Sequence, residues 1–428
     1  MTAQIDTTPS LGAAYALRCR ECGATSQLDA SYACMECFGP LEVAYQPTNL
    51  TRAQIESGPV SMWRYEALLP VTPGAGGRPG LQPGFTKLVR ADNLARALGA
   101  KTVWVKDDSG NPTHSFKDRV VAVALENARR LGFETIACAS TGNLANAVAA
   151  AGARAGLKSV VFVPSDLEAG KIVTTAVYGG TLVAINGTYD DVNRLCTEVA
   201  ASRPWGFVNV NLRPYYAEGS KTVGFEVAEQ LGWRLPDAVV APVASGSLLT
   251  KVDKAWREFV SLGLVDDTAY QVFGAQATGC SPVAQAFRAG TDVVRPVRPD
   301  TIAKSLAIGN PADGPYALDV VRRTGGAIED VSDAEVVEGI KLLAQTEGIF
   351  AETAGGVVVA TYRKLLRDGL IDPAAEVVLL NTGDGLKTLD AVAPTSQPTI
   401  TVSGSYDDFE AQYSALPTHS PTDANEEA

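Results

Sequence analysis

The stretch Asp107-Asp108-Ser109-Gly110-Asn111-Pro112-Thr113-His114-Ser115-Phe116-Lys117-Asp118-Arg119 decides how this 428-residue chain is read. A short β-branched apolar run at 102–106 precedes it, and a helical pattern over 116–131 follows. The polar residues between them make a strand-to-helix loop, with Ser115 as the expected helix cap. Lys117 then stands in the first helical turn, where the positive end of the helix dipole disfavours a cation. A neutral amine is the form that attacks a carbonyl. Taken alone, a lysine near a helix start is more often simply solvated, so the neighbouring loops have to decide.

Working outward, the same alternation recurs. Strand-like runs at 135–139, 159–164, 181–185, 207–210, 238–243, 271–275 and 376–380 are separated by helical stretches at 144–155, 189–202, 218–231, 248–262, 334–346 and 356–366. This pattern predicts an α/β fold with parallel sheets covered by helices on both faces. Ligands of such folds bind in loops at the carboxyl ends of the strands. Three more loops of that kind carry glycine and hydroxyl residues: Ser140-Thr141-Gly142-Asn143, Ala244-Ser245-Gly246-Ser247 and Asn381-Thr382-Gly383-Asp384-Gly385-Leu386-Lys387. Small residues leave backbone N–H groups open at a helix N-terminus, which favours anions. Four such loops and one lysine suggest a phosphorylated cofactor attacked by an amine.

Composition narrows the class. The chain is 46% hydrophobic and 20% charged, with 7 Cys and 2 His. That is an ordinary globular balance, long enough for more than one domain. No apolar run reaches the ~20 residues of a membrane span. Residues 1–10 lack the basic start and apolar core of a secretory signal, so a cytoplasmic location is expected. The formal charge of −12 argues against a nucleic-acid footprint. Beyond Lys387 there is no Lys or Arg, and seven acids from Asp390 to Glu427 carry most of that charge. Residues 394–428 therefore read as an acidic, largely disordered tail with one short element near 406–413.

Four cysteines form two knuckles, Cys19-x-x-Cys22 and Cys34-x-x-Cys37, each soon followed by a glycine (Gly23, Gly39). Together they can present four thiolates to one tetrahedral zinc, and a structural zinc ribbon over 1–48 is expected. Two reduced pairs without metal, or redox-active pairs, are the alternatives. Cys138, Cys196 and Cys280 lie in apolar or small-residue surroundings and read as buried thiols.

The run Asn-Pro-Thr-His-Ser-Phe-Lys-Asp-Arg, with Ser-Thr-Gly-Asn, Glu218-Gly-Ser-Lys-Thr222 and Asn-Thr-Gly-Asp-Gly-Leu-Lys, resembles the threonine synthases of the pyridoxal-phosphate fold-type-II group. The likeness covers roughly residues 15–392 and includes the zinc-ribbon-like N-terminus of some members. It implies a two-lobed catalytic body at 49–393, the smaller lobe near 95–215 and the larger at 49–94 and 216–393. It implies the conversion of O-phosphohomoserine and water to threonine and phosphate by γ-elimination and β-addition. By matching position, Lys117 would hold pyridoxal 5'-phosphate covalently and shuttle protons. Asn143 would meet the cofactor's phenolic oxygen and Thr382 its pyridine nitrogen. The backbone of Ala244, Ser245, Gly246, Ser247 and Leu248 would hold its phosphate. Ser140, Thr141 and Gly142 would receive the substrate α-carboxylate, and Arg194 its phosphate. Thr188, Asn209 and Asn211 are further candidates for that phosphate, and a homodimer is what the resemblance implies. His114 reads better as a loop-packing residue than as an acid or base.

The chain departs from many relatives in its Ala-Ser-Gly-Ser-Leu loop, elsewhere richer in Gly and Asn, and in Asp384. Rival readings are a cysteate synthase using O-phosphoserine and sulfite, a threonine or serine dehydratase-like lyase, and a zinc-ribbon protein that binds nucleic acid. Arg18 and Arg20 beside Cys19 are offset by Glu21, Asp29 and Glu36, which weakens the last of these.

Overall fold

The computed structural model describes residues 13–71, 80–140, 142–165, 169–187 and 189–416. Its strands are β1 (Ala14–Cys19), β2 (Thr25–Ser26), β3 (Leu41–Tyr45), β4 (Lys87–Arg90), β5 (Thr102–Asp107), β6 (Thr135–Ala139), β7 (Lys158–Pro164), β8 (Thr181–Ile185), β9 (Gly206–Phe207), β10 (Ala238–Pro242), β11 (Gln271–Ala277), β12 (Ile328–Val331) and β13 (Glu376–Asn381). They form three sheets, ordered β2-β1-β3, β12-β11-β10-β13-β5-β4 and β8-β7-β6-β9. The first is antiparallel. The second is parallel except for β4, and the third is wholly parallel. This is the expected mixed α/β fold with helix-covered parallel sheets.

Alternate residues of the six-stranded sheet feed two cores, because successive side chains on a strand point to opposite faces. Val239, Ala241, Val378 and Leu380 pack with the helices Lys221–Gln230 and Ser247–Ser261. Val240, Phe273, Val377 and Leu379 pack with Asp333–Glu347 and Thr353–Arg367. The four-stranded sheet has its own core of Ala137, Ala139, Phe162 and Phe207, closed by Val192 and Cys196. Cys138, Cys196 and Cys280 are buried, and burial pushes the Cys196 thiol up to about 12.

Several expected boundaries move. The smaller lobe expected near 95–215 does not include β5, which pairs with β13 and β4 and so belongs to the larger sheet. The smaller sheet draws only on residues 135–207. The expected strand at 207–210 shrinks to Gly206–Phe207 because Asn211 folds back: its Oδ1 accepts from Phe207 N at 2.8 Å and its Nδ2 donates to Trp205 O at 3.0 Å. The expected helix at 218–231 is two helices, Arg213–Glu218 and Lys221–Gln230. Between them Gly219 passes so close to the helix Lys117–Arg130 that a Cβ would stand 2.6 Å from Arg119 O. In the tail, Tyr406–Tyr413 is an exposed helix capped by Ser405. Residues 417–428 lie outside the described residues.

Candidate active site

Register places three of the four loops side by side. In the larger sheet β10, β13 and β5 are consecutive, and Asn381 is level with Asp107. The loops after β5 and β13 therefore leave the sheet at one height and are stitched together. Phe116 N donates to Thr382 O at 2.9 Å, Asp384 N donates to His114 O at 3.1 Å, and Ser115 and Gly383 form a bridge. His114 is exposed at φ 60°; its backbone carbonyl takes part in this seam, while its side chain is not packed as expected.

Lys117 opens the helix Lys117–Arg130, but the cap differs from expectation. Phe116 is the N-cap, no side-chain capping bond is made, and the buried Ser115 Oγ has no partner among the described residues. Asp118 reaches back instead, accepting from Thr113 N at 2.6 Å and Thr113 Oγ1 at 2.8 Å. Burial pushes the Asp118 carboxyl up to about 6 despite those bonds. Lys117 is half-buried, with Nζ 4.8 Å from the Phe116 ring centroid and 5.9 Å from that of Tyr216. No hydrogen bond or ion pair to its amine is found among the described residues.

The loop after β6 belongs to the smaller sheet and faces this seam. Gly142 N donates to Ser140 Oγ at 3.3 Å and opens the 13-residue helix Asn143–Ala155. The loop after β10 opens the 15-residue helix Ser247–Ser261 through Gly246, whose φ of 96° is open to glycine at little strain. Both helix starts offer unsatisfied N–H groups and the positive end of a dipole.

Asn143 and Thr382 converge on a residue that the sequence reading missed. Glu352, 2% exposed, accepts from Asn143 Nδ2 at 2.8 Å and from Thr382 Oγ1 at 3.3 Å. Burial pushes its carboxyl upward; the bond from Asn143 and the positive charges of Lys387 and Lys117 oppose that shift. Gly383 makes room for it, since a Cβ there would lie 2.6 Å from the carboxyl. Gly383→Ala is therefore expected to destabilise the fold by about 1–3 kcal/mol. Because Thr382 moves with it, cofactor content should fall in parallel; a thermal melt and a visible spectrum of the same sample measure both. Lys387 closes the last loop. It is half-buried, donates to Asn146 Oδ1 at 3.2 Å across to the smaller lobe, and burial pushes its pKa down. Neither residue announces itself in sequence, because Glu352 gains its meaning only from two loops far away in the chain.

The substrate-phosphate candidates are less gathered. Arg194 is exposed on the helix Tyr189–Ser202 and pairs with Glu198 at 3.0 Å and Asp191 at 3.5 Å. Asn211 is committed to the backbone of Trp205 and Phe207, as above. Asn209 lies beside the end of β6, its Nδ2 3.5 Å from Ala139 O and its buried Oδ1 without a partner among the described residues. Thr141 and Thr188 lie outside the described residues.

At the N-terminus the four-cysteine cluster is assembled. Cys19, Cys22, Cys34 and Cys37 place their Sγ atoms within 4.8 Å of one another. The Cys19–Cys37 and Cys22–Cys34 sulfurs are 3.5 and 3.7 Å apart, near the about 3.8 Å edge of a zinc–thiolate tetrahedron. Glu21 N and Glu36 N each point at the sulfur two residues back, at 3.4 Å. Gly23 takes a positive φ, as the knuckle reading expects. In the second knuckle Phe38 has the positive φ, and Gly39 instead lets the cluster close: its Cβ would meet Cys19 Sγ at 2.9 Å.

Comparison with known proteins agrees with this architecture. Residues 80–383 match the family described as pyridoxal-phosphate dependent enzyme. A threonine synthase of Methanocaldococcus jannaschii is 37% identical over 391 residues, covering 90% of this chain and 96% of that protein. One from Methanosarcina acetivorans is 37% identical over 394 residues, with the same coverage. Among solved structures, the processed form of threonine deaminase isoform 2 from Solanum lycopersicum superposes with a TM-score of 0.61 at 20% identity, over 73% of this chain and 88% of that one. That last likeness speaks for the fold alone. The chain belongs to the pyridoxal-phosphate dependent enzyme family and, within it, to the threonine synthases.

Proposed function

We propose that the protein converts O-phosphohomoserine and water to L-threonine and phosphate, with pyridoxal 5'-phosphate as cofactor. The observation that carries this reading is the match to threonine synthases over nearly their full length. The side chains present fit the cofactor: the Lys117 amine, without a hydrogen-bond or ion-pair partner among the described residues, the amide of Asn143, the hydroxyl of Thr382 and two helix N-termini that suit anions. When bound, pyridoxal phosphate supplies the electron sink that makes the substrate's carbon-bound protons removable.

This chain's residues do the rest. Lys117 Nζ is the proposed attachment point and the group that takes up and returns protons. Asn143 orients the ring by its second amide N–H, and the Thr382 hydroxyl donates to the ring nitrogen without protonating it, which requires its O–H to turn from Glu352. Glu352 holds both side chains in register from behind. The backbone from Ala244 to Leu248 holds the cofactor phosphate at the start of the helix Ser247–Ser261. Ser140, Thr141 and Gly142 receive the substrate α-carboxylate at the other helix start. Arg194 is the proposed cation for the substrate phosphate, which requires its guanidinium to leave Glu198 and Asp191. Asn209 is the better-placed neutral partner for that phosphate.

Phosphate release from O-phosphohomoserine, measured with threonine detection beside O-phosphoserine and sulfite, tests the substrate. Turnover of only the second pair would overturn it. We also propose that the four cysteines hold one structural zinc. Metal analysis of freshly purified, reduced protein should find about one zinc per chain, in keeping with a four-thiolate site. Cys22→Ser should lower that content and the melting temperature together; zinc-free wild-type protein with an unchanged melt would refute the site.

A further inference from the structure

We infer that the four-cysteine segment braces the loop that holds the cofactor phosphate, with Arg20 as a positioning residue acting through Asp313. This rests on the reading above that Ala244 to Leu248 is that loop.

The chain of contacts is short. Arg20 lies inside the first knuckle, where its backbone N donates to Pro40 O at 3.0 Å and the next residue is tied to Cys19 Sγ. Its direction is thus fixed by the cluster. The guanidinium lies 3.4 Å from the Tyr316 ring centroid and donates to Asp313 Oδ1 at 3.4 Å. Tyr316 OH in turn donates to Glu21, so the knuckle grips Tyr316 by both a stacking and a polar contact. The other Asp313 oxygen accepts from Arg213 at 2.9 Å.

Asp313 is 8% exposed and stands just before the helix Gly314–Arg323, yet its side chain caps no helix N–H. Its work is on the neighbouring loop. Asp313 N donates to Ser245 O at 2.8 Å. Its carbonyl oxygen stands 2.7 Å from where a Cβ on Gly246 would be. Ser245 and Gly246 are therefore held from one side by the backbone of Asp313, and the carboxylate of that residue is held by two arginines. One of them comes from the cysteine segment, nearly three hundred residues away in the chain. A close-packed contact of this kind transmits small displacements rather than absorbing them. Losing Arg20 leaves Asp313 to Arg213 alone and frees it to tilt.

The test compares pyridoxal phosphate with pyridoxal, which lacks the phosphate, by visible titration of the cofactor-stripped full-length chain. Arg20→Ala should weaken pyridoxal phosphate about fivefold, the size of a coupling between residues in one network, and leave pyridoxal unchanged. Arg20→Lys should fall between, because it keeps the charge and loses the stacked fork. Asp313→Asn should give a similar or larger loss, and adding Arg20→Ala to it should cost little more. Equal weakening of both ligands, no effect on either, or strictly additive losses would each overturn the inference. A separate outcome concerns the loop itself. If wild-type protein binds pyridoxal as tightly as its phosphate ester, or Gly246→Ala leaves their ratio unchanged, the loop assignment falls and the inference with it.

Discussion

Lys117→Ala is expected to lose the visible absorption that borohydride removes from the wild-type protein, and to lose at least about 10⁴-fold in kcat, since attachment and proton transfer go together. The position explains why nothing nearby can substitute. Lys117 begins the helix that follows the loop after β5, next to Phe116, whose N–H donates to Thr382 O, and its amine has no hydrogen-bond or ion-pair partner among the described residues. Lys387, whose charge also acts on Glu352, is tied to Asn146. Lys117→Arg should fail equally in the spectrum, because a guanidinium stays protonated and does not form the same bond. Lys117→Ala protein should melt near the wild-type temperature when both are stripped of cofactor. A Lys117→Ala variant that kept the absorption would show that Lys117 is not the attachment point.

The second large effect lies beneath that loop. Arg119, fully buried, donates to Asp108 through Nε and Nη2, both at 2.7 Å, and to Glu226 through Nη2 at 2.7 Å. Lys106 Nζ meets the same Glu226 at 2.6 Å, and Thr86 and Thr222 complete the shell. Burial alone would push the Glu226 carboxyl up, but Arg119 and Lys106 outweigh it and hold it at about 2. Removing one partner leaves buried charge uncompensated, so Arg119→Met or Glu226→Leu should destabilise by about 3–5 kcal/mol in denaturant melts. Because the folded pKa is below the unfolded one, the stabilising contribution is complete above about pH 4.5 and disappears as pH falls toward about 2. In Glu226→Gln that part of the acid dependence should be missing. A Glu226→Leu protein as stable as wild type would mean that the network is replaceable packing rather than a support for the loop.

The strand-to-helix alternation was legible because buried parallel strands leave short β-branched runs bounded by turn residues, whereas the β-branched run Val357–Val359 sits within a longer helical pattern. The loops at their carboxyl ends were legible for a related reason: glycine, serine and threonine cluster where a backbone must approach an anion. Where β5 belongs was not, since a strand's sheet is decided by pairing with β13, over 260 residues later, and no local pattern encodes that. Glu352 was missed for the same cause. A glutamate before a helix reads as a surface residue until the fold lays Asn143 and Thr382 against it. Arg194 was found by matching position, yet it stands paired on an open helix face. The cysteine knuckles were legible in spacing, whereas the contact from Arg20 to Asp313 exists only in three dimensions.

The most direct test of the proposed reaction is to run O-phosphohomoserine in ¹⁸O-labelled water and weigh the products. Threonine should carry one heavy oxygen, in its hydroxyl, and phosphate should carry none, because the carbon–oxygen bond breaks and water adds to the neighbouring carbon. Homoserine with labelled phosphate, or a keto acid in place of threonine, would contradict it.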